Sequence, residues 1–159
     1  MSLVIRPMRE ADAAAVAGMV RGLAKHIGTS LVPKLTAERL IAASDLIDVV
    51  VGDDGGTLLG ACLGLLTFST WRGARGLYVV DLFVLPEARG RHVGQKLLRL
   101  SAERAAARGA EFIKLEVDAT NTGAERFYAR LGFAKKSEDR LHILEQDKLK
   151  HFIQTGDET

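Results

Sequence analysis

Three things are missing from this 159-residue chain, and each narrows what it can be. There is one cysteine, Cys62, so no intrachain disulfide is possible and a reducing compartment fits. There is no excess of charge of one sign. The 22 basic residues are set against 20 acidic ones, too even a balance for a dedicated nucleic-acid binder. There is no long apolar run of the roughly 18 residues that a membrane span needs. The opening MSLVIRPMREAD has no apolar signal core and no cleavage signature. Repeats, low-complexity blocks and linkers are also absent. His26, His142 and His151 are too dispersed for a metal site. A cytoplasmic protein with no metal, no membrane and no nucleic-acid partner is the expectation.

What is present reads as one mixed α/β domain. Leu3–Arg6 starts as an edge strand. Val16, Met19, Val20 and Leu23 mark one helix face, and Thr36 is placed to cap a second helix. Ile47–Val51 and Leu58–Phe68 read as strands joined through Asp53-Asp54-Gly55-Gly56. The continuous apolar character of the second implies burial on both faces. A loop over Ser69–Gly76 leads to the strand Leu77–Leu85. A long helix then follows the Gly90–Gly94 turn and stops at Gly109. Phe112–Val117 alternates like a strand. Thr122 and Glu125 match a capping box for a helix that Gly132 ends. Phe133 and Leu141–Leu144 are expected to be the last strands, with a short helix near Asp147–Ile153 and a polar tail over 155–159.

The segment from Leu82 to Leu98 carries the chemistry. A buried strand enters the turn Arg89-Gly90-Arg91-His92-Val93-Gly94-Gln95, and the turn opens a helix. A helix N-terminus has unpaired N–H groups and about half a positive charge. Glycine lets the backbone approach an anion closely, and Arg89 and Arg91 add charge-assisted hydrogen bonds. Such a turn suits a pyrophosphate. It is neither the dinucleotide fingerprint nor a Walker A loop. Alone, it also reads as a strand–helix connection with surface arginines.

Downstream stands Asn121-Thr122-Gly123-Ala124-Glu125-Arg126-Phe127-Tyr128-Ala129-Arg130-Leu131-Gly132-Phe133. With both segments in this order, the chain resembles the GNAT acyl-CoA N-acyltransferase superfamily. The turn is similar to its Arg/Gln-x-x-Gly-x-Gly/Ala motif, and the second segment to its Asn-x-x-Ala-x-x-x-Tyr…Gly-Phe motif. The resemblance implies a single domain over residues 1–154 with flanking helices. Its central sheet would be mixed, mostly antiparallel, and splayed at a coenzyme A site.

It also implies acetyl-CoA as co-substrate and transfer of acetyl to a primary amine by direct attack in a ternary complex. The backbone of Leu82, Phe83 and Val84 would bind the pantetheine arm. Arg89, Gly90, Arg91, His92, Val93, Gly94 and Gln95 would surround the pyrophosphate. Asn121 and Ala124 would flank the thioester end, and Tyr128 would be the general acid. His92 stands where the family has glycine: its β-carbon crowds the pyrophosphate, or its imidazole donates to it.

The residues support part of this independently. A departing thiolate needs a proton, and a phenol with a pKa near 10 holds one at neutral pH. Tyr128 lies one helical turn from Ala124, so both face the same way. A lysine-like amine is mostly protonated at pH 7, so a carboxylate or a relayed water must take its proton. Asp81, Glu116 and Asp118 are the candidates. Cys62, inside an apolar run, reads as an ordinary buried thiol.

Leu77-Tyr78-Val79-Val80-Asp81-Leu82-Phe83-Val84, with Phe68-Ser69-Thr70-Trp71 and Leu23-Ala24-Lys25, is similar to the diamine and polyamine acetyltransferase branch. That branch implies a homodimer. Val80 stands where it has glutamate, and an acid expected near His26 and Ile27 is missing. The acceptor is thus a small amine, a diamine or an amino-acid-like metabolite. Trp71 and Tyr78 either wall its pocket or pack the core. Two other readings remain: a protein or peptide N-acetyltransferase, and a coenzyme A-binding module without turnover.

Overall fold

The structure is a computed structural model describing residues 2–26, 32–136, 138 and 140–155. Ile27 and the tail residues 156–159 lie outside the described residues. The chain forms two compact units, Met1–Asp118 and Ala119–Thr159.

The first unit is a five-stranded open sheet in the order β1-β2-β3-β4-β5. The strands are β1 (Leu3–Pro7), β2 (Asp48–Asp54), β3 (Thr57–Ser69), β4 (Ala74–Val84) and β5 (Ala110–Lys114). The first four pair antiparallel, and β5 joins β4 in parallel. A parallel neighbour requires a crossover, and helix α3 (Val93–Ala107) supplies it. Helices α1 (Ala13–His26) and α2 (Ala37–Ala42) precede β2. Thr36 caps α2 as its sequence position predicts, accepting from the Arg39 N–H at 3.2 Å.

Side chains alternate across the strands, so β2 and β3 feed two cores at once. Val49, Val51, Ala61, Leu63 and Phe83 are buried in one cluster with Val16 and Met19 of α1 and Leu40 of α2. The opposite parity meets α3. A β-carbon at Gly52 would touch Val93, and one at Gly60 would touch Leu97. Val50, Cys62, Val93 and Leu97 are all buried. Burial of β3 on both faces thus follows from its unbroken apolar run, and Cys62 is packing material. Desolvation pushes its thiol up to about 11.

Several boundaries differ from the sequence reading. Strand β4 begins at Ala74, because pairing with β3 extends to Ser69↔Ala74 and leaves only a short turn. Trp71 in that turn is 99% exposed, so it is neither core nor a buried pocket wall. Strand β5 ends at Lys114, which leaves Glu116 and Asp118 beyond the sheet.

The second unit contains α4 (Thr122–Arg130) and α5 (Gln146–Thr155). Phe133 and Leu141–Leu144 are not strands: the described residues there form no ladder. Leu141 is 83% exposed, and the apolar stretch finds no strand partner among the described residues.

Candidate active site

Strands β4 and β5 part within the first unit. Their pairing ends at Tyr78↔Lys114, yet β4 continues to Val84. From Val79 onward β4 is bonded to β3 on one edge, and among the described residues its other edge has no strand partner. Leu82 and Val84 lie on this stretch. The register with β3 slips between Leu63↔Asp81 and Gly64↔Val79, so Val80 is the extra residue of a bulge and is 47% exposed.

The proposed carboxylates differ sharply. Past the end of β5, Glu116 accepts a hydrogen bond from the Tyr78 hydroxyl, which ties the two strands together where they separate. That bond, with burial, pushes the Tyr78 phenol up to about 12. Asp81 pairs with Leu63, whose side chain is in the α1 core, and alternation puts Asp81 on that same side of the sheet. It has no hydrogen-bond or ion-pair partner among the described residues, and desolvation raises its carboxyl above the usual range. Glu116 is held; Asp81 is uncommitted.

Strand β4 leads through the short 3-10 turn Pro86–Ala88 into the basic turn. Gly90 has φ +85°, and nothing lies within 4 Å of where a β-carbon would sit. His92 is left-handed, with φ 59° and ψ 24°, and its side chain does not cap α3. The first intrahelical bond runs from Lys96 N–H to the His92 carbonyl at 3.1 Å. The N–H groups of Val93, Gly94 and Gln95 therefore have no intrahelical acceptor. This is an open, positive helix end flanked by two arginines. Arg91 is also bound elsewhere: its Nη1 donates to Asp54 Oδ2 at 3.2 Å.

In the second unit, Asn121 caps α4, accepting from the Ala124 N–H at 3.1 Å. The sequence reading gave that cap to Thr122, which is the first helical residue instead. Asparagine outranks threonine as a cap, and the Asn121 carbonyl already accepts from Glu125. At the other end, Gly132 has φ +96° and its N–H donates to the Ala129 carbonyl, while the Phe133 N–H reaches back to the Tyr128 carbonyl at 3.1 Å. This is a Schellman stop, closed by contact between the Tyr128 and Phe133 rings, edge-on at 5.3 Å. Phe127 packs edge-on at 5.0 Å on the same ring. The Gly-Phe pair therefore holds the ring of Tyr128 as well as ending its helix.

With this arrangement described, comparison with known proteins is informative. The profile of the acetyltransferase (GNAT) family matches residues 24–133, a stretch that includes the open β4 edge, the basic turn and α4. The chain belongs to the GNAT acetyltransferase family. It is 29% identical over 143 residues to a thialysine N-epsilon-acetyltransferase of Sus scrofa, covering 82% of this chain and 84% of that one. It is 30% identical over 140 residues to the protein of the same name from Mus musculus, covering 80% and 82%. Among solved structures, an integron cassette protein from the mobile metagenome of V. cholerae superposes with a TM-score of 0.77 at 19% identity. That match covers 97% of this chain and 99% of the other, and shows the shared fold.

This GNAT chain is therefore an acyltransferase enzyme, an N-acetyltransferase of a family that uses acetyl-CoA as co-substrate. The residues present fit that molecule: the uncapped end of α3 offers N–H donors to an anion, and no side chain blocks the approach over Gly90. Among the described residues no group of three or more His, Cys, Asp or Glu could hold a metal ion, and no helix is long and apolar enough to cross a membrane.

His92 occupies its left-handed conformation at a cost of about 1–2 kcal/mol relative to glycine. His92→Gly should therefore raise Tm by about 2–8 °C, with coenzyme A affinity kept or improved. Thermal melts and calorimetric titration check both. A large loss of affinity would mean that the imidazole itself contacts the phosphate.

Proposed function

We propose that this enzyme transfers acetyl from acetyl-CoA to the primary amine of a small, lysine-like or diamine metabolite, by direct attack in a ternary complex. The observation that carries the reading is the unpaired β4 edge from Val79 to Val84 leading directly to an uncapped, basic helix end. One chain segment thus offers backbone partners for an amide-bearing arm and N–H donors for a pyrophosphate. The coenzyme, when bound, supplies an acetyl thioester.

The remaining work is done by the protein. Leu82, Phe83 and Val84 orient the pantetheine arm through their backbone groups. Arg89 to Gln95 hold the pyrophosphate. Asp81 accepts the proton of the substrate ammonium at a carboxylate oxygen; its raised pKa narrows the gap to an amine near 10.4. Tyr128 holds a proton at its phenolic oxygen for the leaving sulfur, with Asn121 and Ala124 beside it, as the family resemblance implies.

The acceptor class follows from charge. A polyamine needs several carboxylates to replace its water. Here Val80 is apolar, Glu116 is engaged by Tyr78 and Asp118 has an interaction of its own, which leaves Asp81 as the uncommitted carboxylate of the set. A single ammonium fits best, and the names of the two thialysine N-epsilon-acetyltransferases give a lysine-like amine as the first to try. Thiol release from acetyl-CoA should be faster with thialysine and lysine analogues than with spermidine. Release with peptides alone would favour a protein acetyltransferase; release with no amine would favour a binding module. A homodimer belongs to the same proposal, on the family branch, and light scattering tests it. A cytoplasmic location is supported by the lone, buried cysteine.

A further inference from the structure

Asp54 is the last residue of β2, far from the basic turn in sequence, and its side chain makes one polar contact among the described residues. Its Oδ2 accepts from Arg91 Nη1 at 3.2 Å. Its Oδ1 is buried and has no hydrogen-bond partner among the described residues. The Asp54 side chain is 15% exposed, against 46% for Arg91. The carboxylate is therefore largely covered, and its side chain's one partner among the described residues is the arginine of the turn. A buried charge with a single partner holds that partner firmly, because letting go leaves the charge unpaired.

The place of the contact gives it a role. Arg91 directly precedes His92, whose left-handed backbone is unfavourable for a residue with a β-carbon. Such a conformation persists where its surroundings fix it. The Asp54 bond ties the turn to the end of β2, while packing between Gly52 and Val93 brings the same strand against the first residue of α3. A guanidinium has five N–H donors in a rigid fork, so one bond to Asp54 fixes its plane and leaves other donors for an anion.

We infer that Asp54 is a positioning residue for coenzyme binding: it holds Arg91, and through Arg91 the strained turn, in the arrangement that receives the pyrophosphate. This rests on the turn being the pyrophosphate site, as proposed above.

The test is a double-mutant cycle on coenzyme A affinity, read by calorimetry with Asp54→Ala, Arg91→Ala and the double variant. Asp54→Ala should weaken binding by about three- to tenfold. In the Arg91→Ala background the same change should cost nothing further, because Asp54 acts through that side chain. An Asp54→Ala protein that binds as tightly as wild type, or more tightly, would overturn the inference. So would a loss that persists undiminished in the Arg91→Ala background, the mark of a merely structural role. Should Asp54→Ala fail to fold, Asp54→Asn, which keeps the shape, is read in the same cycle against the same outcomes. Wild-type protein that does not bind coenzyme A at all would sink the pyrophosphate reading, and this inference with it; binding without coupling sinks the inference alone.

Discussion

Tyr128→Phe should lower kcat by about two to three orders of magnitude and leave coenzyme A affinity within about twofold. The substitution removes one oxygen and keeps the ring. The ring contacts with Phe127 and Phe133 and the Schellman stop at Gly132 do not involve the hydroxyl, and phenylalanine keeps them. What goes, in the proposed mechanism, is the proton for the leaving sulfur. A positioned acid typically contributes about 10²- to 10⁴-fold, because a thiolate released without a donor must be stabilised by the site alone. Steady-state kinetics together with a coenzyme A titration separate turnover from binding. Unchanged turnover would remove Tyr128 from the reaction and leave it as a packing residue that closes its helix.

Asp81→Asn should move activity and stability in opposite directions. Turnover at neutral pH should fall by about 10²-fold or more, since the amide cannot take the ammonium proton. Stability should rise. Desolvation lifts the Asp81 carboxyl above its ordinary 3.8, so the folded state holds that proton more tightly than the unfolded chain does. A group raised in this way favours folding below its unfolded pKa, and the benefit is lost as pH rises through its folded value. The Asp81 carboxylate is desolvated and has no hydrogen-bond or ion-pair partner among the described residues, so its ionised form is disfavoured. Asparagine there should raise Tm by about a few degrees. The gain should shrink on acidification and vanish below about pH 4, where wild type is itself protonated. Melts of both proteins across that range give the comparison. A lower Tm at neutral pH would show that the ionised carboxylate supports the fold; unchanged turnover would exclude it as the base.

The contrast between Asp81 and Glu116 marks where reading from sequence stops. Both stood as carboxylates near the same strands, and no local pattern ranks them. Their difference arises from the register of β4 against β5, which aligns Tyr78 with Lys114 and brings the Tyr78 hydroxyl to Glu116. A parallel register is set by how α3 packs across the sheet, and the strand sequences do not encode that locally. The Asp54–Arg91 bond is hidden for the same reason: Asp53-Asp54-Gly55-Gly56 signals a hairpin, and only the stacking of α3 on β2 makes its second aspartate a partner of the turn.

Local chemistry was legible. The two-sided burial of β3, the Thr36 cap, the stop at Gly132 and the opening of α3 after the glycine-containing turn all follow from side-chain type and spacing. The apolar stretch Leu141–Leu144 misled because a strand also needs a neighbour, and a short stretch cannot say whether one is available. At His92 the sequence departs from the family's glycine, and the backbone there is left-handed, a conformation that favours glycine.

The proposed mechanism depends on the basic turn gripping the pyrophosphate of acetyl-CoA. The most direct test is calorimetric titration of the wild-type protein with acetyl-CoA and, separately, with S-acetyl-pantetheine, which keeps the thioester arm and lacks the pyrophosphate. Binding of acetyl-CoA, with an affinity for the truncated thioester weaker by at least about tenfold, is the predicted result. Equal affinity for the two, or no binding of acetyl-CoA, would contradict it.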